Sequence, residues 1–181
     1  PLGIENPTLR FDVPAYEAET ASLRSRFPQM DRPFVAMCAA TSKLSKMWPT
    51  DRFGAVAKHL GERYQLPTYV TWAGDQEEQR AQAIADASEG HAHLAPAMSL
   101  RELAALLRAA ACVVTVESGI GHLCHAVDAT LVEIYSRVLP LAWAEPKEAT
   151  RCTVLYNDPR LVTCAEVFDA VASFLASDRA P

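Results

Sequence analysis

Residues 112–123 read Cys112-Val113-Val114-Thr115-Val116-Glu117-Ser118-Gly119-Ile120-Gly121-His122-Leu123. The first five are almost wholly apolar and show no polar alternation, as expected of a strand covered on both faces. The run stops at an acid, and Ser118 with two nearby glycines opens a helical pattern over Gly119–Val127. A buried strand leading into a helix through small residues is the unit of helix-covered parallel sheets.

The same alternation recurs outward in both directions. Upstream, Phe34–Cys38, Thr68–Trp72 and His93–Leu94 read as strands, while Thr50–Tyr64, Glu77–Ala87 and Ser99–Ala110 carry helical periodicity. Downstream, Leu131–Tyr135 and Cys152–Tyr156 are strands, and Thr163–Ser177 is a closing helix after a loop punctuated by Pro140 and Pro146. Strands separated by helices need crossover connections, and these are right-handed. The expected architecture is α/β, a Rossmann-like doubly wound parallel sheet. Local signals agree. Phe53, Val56, Ala57 and Leu60 share one helix face, Pro49 with Thr50 or Asp51 as N-cap marks that helix's start, and Ser99 and Glu102 have capping-box spacing.

Residues 1–14, with Pro1, Gly3, Pro7 and Pro14, read as a linker, and Ala15–Phe27 as a helix with Ala18, Leu23 and Phe27 on its apolar side. The expected division is a linker and lead helix over 1–30, then a Rossmann-like domain over 31–181. The 181 residues are 50% hydrophobic and 22% charged, the composition of one globular domain. Seventeen Lys and Arg against 22 Asp and Glu leave a net charge of −5, which argues against gripping nucleic acid. The longest apolar runs, Ala109–Val116 and Leu139–Ala144, fall far short of the ~20 residues that span a bilayer. Five scattered cysteines without a CxxC pair point to free thiols in a reducing cytoplasm. The amino end has no basic stretch followed by an apolar run, so no secretory signal is expected. It opens on Pro1 rather than Met, so the first residues read as excised from something longer or left over from cloning.

Ligands of such folds sit outside the carboxyl ends of the strands, so the loops after Cys38, Trp72, Leu94, Val116 and Tyr135 are where chemistry is sought. After Val116, backbone N–H groups at an unencumbered helix start suit a phosphate, whereas Glu117 suits the hydroxyls of a sugar. Spacing alone leaves an ordinary strand-to-helix turn equally open. After Cys38, Thr41, Ser42, Lys43 and Lys46 offer hydroxyl donors and cations to an anion; by itself the loop also reads as a solvated basic turn over Trp48. It is no P-loop, since the required glycines are absent. His122 and His125 lack further ligands at zinc spacing, so no metal site is expected. Ser118 has Val116 and Ile120 where a nucleophile elbow needs glycines.

Three segments together resemble glycosyltransferase family 9, the lipopolysaccharide heptosyltransferases, and most nearly the carboxy-terminal domain of their heptosyltransferase I branch. Ala40-Thr41-Ser42-Lys43-Leu44-Ser45-Lys46-Met47-Trp48-Pro49 resembles the family's hydroxyl-rich loop ending in Lys-x-Trp-Pro. Pro96-Ala97-Met98-Ser99-Leu100 followed by Leu103 resembles its adenine-side segment. Glu117 to Leu123 resembles its Asp-Thr-Gly-x-x-His-Leu hallmark, with Glu for Asp and Ser for Thr.

The resemblance implies a GT-B architecture of two Rossmann-like domains, of which this is the donor-binding one, with the acceptor site and catalytic base in an amino-terminal domain missing from these residues. It implies that Thr41 and Ser42 bind the donor phosphates and that Lys46 stabilises the departing diphosphate. Met98 would line the adenine pocket and Glu77 would bind ribose. Glu117 would hold sugar hydroxyls, Ser118, Gly119, Ile120 and Gly121 the pyrophosphate, with His122 supporting that loop. The implied substrate is a nucleotide sugar, ADP-heptose in type, with no cofactor, transferred with inversion to a lipid A-core acceptor at the cytoplasmic face of the inner membrane. Alone, the domain is expected to be inactive. The alternative is a non-catalytic nucleotide- or sugar-binding module derived from that family.

Overall fold

Successive residues of a strand point to opposite faces, and in the central strands both faces are buried. In the computed structural model, which describes residues 13–14, 16–136 and 151–177, Val35 and Met37 of strand β1 (Val35–Cys38) enter one apolar core, and Ala36 and Cys38 the other. That double burial is why the strand sequences show no alternation.

Six strands form one sheet in the order β3-β2-β1-β4-β5-β6. The others are β2 (Thr68–Val70), β3 (Ala92–Leu94), β4 (Cys112–Val116), β5 (Leu131–Tyr135) and β6 (Cys152–Tyr156), and every neighbouring pair is parallel. At the centre Val35 lies opposite Cys112 and Cys38 opposite Thr115. Among the described residues six α-helices cover the sheet: α1 (Glu17–Arg26), α2 (Thr50–Tyr64), α3 (Asp75–Ala87), α4 (Leu100–Ala109), α5 (Gly119–Ala126) and α6 (Cys164–Ser177). Helices α2, α3 and α6 bury Phe53, Leu60, Ile84 and Val171 against Val70, Val114 and Val116. On the opposite face α1, α4 and α5 bury Leu23, Leu106, Leu107 and Cys124 against Val113 and Leu131. This is the expected Rossmann-like architecture.

Several boundaries differ from expectation, each for a local reason. Helix α3 starts at Asp75 rather than Glu77: Gly74 takes a φ of 74°, and the Ala73 N–H donates to Glu77 Oε2 at 2.9 Å across the first turn. Strand β2 stops at Val70, after which the Trp72 indole donates to the Ala95 carbonyl at 2.8 Å. The N-cap of α2 is Pro49, with no side-chain cap. Asp51 therefore lies inside the first turn, where its charge favours the positive helix end. In α1, Ala18 is exposed, and Leu23 and Phe27, joined by Met30 of a 3-10 turn (Pro28–Asp31), form the buried side. Phe27 meets Tyr69 edge-to-face at 4.7 Å, pinning this segment to β2.

Most of the expected linker (1–12), the apolar run Leu139–Ala144 and the loop with Pro140 and Pro146 lie outside the described residues. No described helix is long and apolar enough to cross a membrane.

Candidate functional site

The chain leaves β1 toward β2 on one side and returns to β4 on the other, so the loops following β1 and β4 part at the sheet's centre. That divergence opens a crevice at the carboxyl ends of the strands. A cleft of about 940 Å³ occupies it. Cys38 lies at its floor, and the Thr115 hydroxyl ties the two central strands there by donating to the Cys38 carbonyl at 3.0 Å.

Thr41, Ser42 and Lys46 face the cleft from the loop after β1, with Lys46 in a short 3-10 turn (Leu44–Lys46). Glu117, Ser118, Gly119, Ile120 and His122 face it from β4 and α5. Glu77 reaches it from α3, and Met98 from the segment before α4. Ten of the eleven expected site residues thus share one cavity. The exception is Gly121, which is buried and turned away: a Cβ there would come within 2.1 Å of Glu133 Oε1. Its glycine serves close packing of α5 on β5, whereas at Gly119 an added Cβ would meet nothing within 4 Å.

One hydrogen-bonded group joins three loops. The Lys46 ammonium pairs with the Glu117 carboxylate through Oε1. The Ser136 hydroxyl donates to Glu117 Oε2 at 2.6 Å, and the Thr41 hydroxyl donates to the Glu117 carbonyl at 3.2 Å. Partial burial pushes the Glu117 carboxyl up, but the hydrogen bonds from Lys46 and Ser136 and the ammonium charge outweigh it. The net result holds Glu117 below the ordinary carboxylate value. Ser136 was not among the residues expected from sequence. As the residue directly after β5, it could have been found by asking what stands at each strand's carboxyl end.

Ser118 caps α5, its hydroxyl accepting from the Ile120 N–H at 3.3 Å. The Gly121 N–H donates to the Ser118 carbonyl, so the start of α5 is held as a tight turn beside the cleft. On the other side Met98, Leu100 and Leu103 make an apolar wall with Trp72. Cys38 offers no nucleophile: burial pushes its thiol up to about 12. The arrangement can hold an anion at Lys46 and the start of α5, hydroxyls at Glu117 and a flat apolar group against Met98. Among the described residues no three side chains gather as a metal site.

Known proteins share this fold and part of this sequence. It is 32% identical over 112 residues to lipopolysaccharide heptosyltransferase 1 of Salmonella typhimurium, a match covering 60% of this chain and 33% of that protein. The fold superposes on the E. coli ADP-heptose lipopolysaccharide heptosyltransferase II with a TM-score of 0.80 at 19% identity, over 98% of this chain and 57% of that one. An E. coli heptosyltransferase solved with ADP gives 0.70 at 21% identity, over 97% and 52%. The chain thus spans about a third of its curated relative and about half of these solved chains. The sequence model of Glycosyltransferase family 9 (heptosyltransferase) matches residues 1–165, so the chain belongs to that family.

Proposed function

We propose that these residues form the donor-binding part of a heptosyltransferase-like, inverting glycosyltransferase of lipopolysaccharide core synthesis, with a nucleotide sugar of ADP-heptose type as donor. One observation carries the reading: the crevice between β1 and β4 brings Lys46, Glu117 and the start of α5 together beside an apolar wall. A diphosphate fits between the ammonium and the helix start. The sugar hydroxyls fall to Glu117, the base to Met98 and its neighbours, and the ribose to Glu77.

As the glycosidic bond breaks, negative charge grows on the diphosphate, and Lys46 with the N–H groups of Gly119 and its neighbours stabilises it where it grows. The acceptor hydroxyl, on a lipid A-core molecule, must lose its proton to a base. Neither cleft carboxylate is placed for that. Glu117 is engaged by Lys46 and Ser136, and Glu77 by the Ala73 N–H. The base and acceptor site belong to the other lobe of a GT-B enzyme, and without it the chain is expected to bind donor but not to turn over.

Calorimetric titration of the 181-residue chain with ADP, then with ADP-heptose, beside Lys46→Ala tests the assignment. Loss of one charged hydrogen bond is worth about 1.5–3 kcal/mol, so the variant should bind ADP roughly 10- to 100-fold more weakly. Equal binding by a folded Lys46→Ala variant would remove Lys46 from the site. No binding of either ligand to the folded parent chain would remove the donor-site reading.

A further inference from the structure

A carboxylate bonded to the ammonium that faces the proposed diphosphate has a cost. Glu117 neutralises Lys46, and among the described residues the other Lys, Arg, Asp or Glu side chains lining the cleft are Arg80 and Glu77, both on α3. Among the described residues the lining thus sets two cations against two carboxylates. Each additional negative charge near Lys46 is opposed by Glu117.

The Glu117 carboxylate is also fixed in place. Lys46 holds Oε1 and the Ser136 hydroxyl holds Oε2, so the group is anchored at both oxygens and is not free to turn away. Ser136 is itself buried, 5% exposed, and does not line the cleft. Whatever it does for a ligand it does through Glu117.

We infer that Glu117, held by Ser136 as a positioning residue, makes the cleft select a sugar diphosphodiester over the corresponding free nucleoside diphosphate, and so favours release of the spent nucleotide. The inference rests on the proposed nucleotide-sugar reading. In the diester, the atoms next to the terminal phosphate are sugar hydroxyls, which donate to a carboxylate. When the glycosidic bond breaks, its electron pair stays with the phosphate oxygen, the anomeric carbon bonds to the acceptor oxygen, and the acceptor's proton leaves on the base. The freed terminal phosphate has its second pKa near 6, so at neutral pH it carries about one more negative charge than it did in the diester. The carboxylate that accepted hydroxyls from the donor now faces that charge. One unit charge several ångströms away, at the effective dielectric of a half-open cleft, corresponds to about a tenfold change in affinity.

The test is calorimetric titration of the 181-residue chain with ADP and with ADP-glucose at pH 7.5 and low salt. Parent, Glu117→Gln, Ser136→Ala and Ser136→Thr chains are compared, each first shown by thermal melting to be folded. The readout is the ratio of the two dissociation constants, ADP over ADP-glucose. Glu117→Gln is expected to lower that ratio about tenfold, chiefly by tightening ADP. Ser136→Ala should lower it severalfold, and Ser136→Thr, which keeps the hydroxyl, should restore it. An unchanged ratio in Glu117→Gln and Ser136→Ala, including the case where both ligands weaken in parallel, overturns the inference and leaves the donor-site reading standing. Failure of the folded parent chain to bind either probe overturns both.

Discussion

The Glu117 carboxylate joins Lys46 and Ser136, groups supplied by two different loops. A second acid acts structurally. Glu102 closes the capping box of α4: its Oε2 accepts from the Ser99 N–H at 2.8 Å, and Oε1 takes the Arg26 guanidinium at 2.7 Å. The Ser99 backbone donor, then Arg26, hold Glu102 below its ordinary value of 4.5. A depressed carboxylate contributes stability fully present above its unfolded-state value and lost as pH falls through the folded one. Urea unfolding should therefore show Glu102→Gln less stable than the parent by about 1 kcal/mol at pH 7, the usual worth of a cap. The difference should shrink toward zero at pH 3. A gap as large at pH 3 as at pH 7 would show that packing, not the charged cap, holds the helix end.

At the scale of elements, the packing of α2 on α3 depends on a missing side chain. A Cβ at Gly54 would lie 2.5 Å from Ala87 Cβ and 2.8 Å from its backbone carbon, so relief requires the helices themselves to move apart. Overpacking of that kind costs about 1–3 kcal/mol, while replacing a mid-helix glycine with alanine returns up to about 1 kcal/mol. Gly54→Ala should be net destabilising by about 1–2 kcal/mol in urea melts. Gly119→Ala, at the open start of α5, should be neutral or slightly stabilising. If both behave alike, the close α2–α3 approach is not what requires Gly54. These contacts also bear on the site, because α3 carries Glu77 and Arg80 to the cleft.

At the scale of the whole molecule, the cysteines report how tightly the two cores close on the sheet. Cys38, Cys112 and Cys124 are at most 1% exposed. Burial pushes Cys38 and Cys112 up to about 12 and Cys124 further still, and it also raises Cys152 and Cys164. A native thiol titration at pH 8 should leave those three unreacted over minutes, while all five react in denaturant. Rapid native reaction of more than two thiols would mean the sheet is not covered on both faces.

Much of this was legible in advance. The limits of β4, β5 and α2 fall where the apolar runs and periodicity begin and end, since burial on both faces or on one helical face writes itself directly into the sequence. Those of the half-buried edge strand β6 also match. The capping box of α4 was visible from two residues. The loops after β1 and β4 could be named because a strand's carboxyl end is a local feature, whereas Glu77, Met98 and His122 were named only through the family resemblance. Ala18 and Gly121 went the other way: which side of a short helix is covered, and what a glycine packs against, depend on partners distant in the chain. So does Ser136, which matters because its hydroxyl meets a carboxylate 19 positions earlier in the sequence. By itself, then, the sequence determined the elements, the two-faced burial of the central strands and the loops that could hold a ligand. The tertiary structure alone decided that β1 and β4 are neighbours, that Lys46 and Glu117 neutralise each other and that Ser136 anchors the pair, because such contacts arise from pairings between distant segments that no local periodicity records.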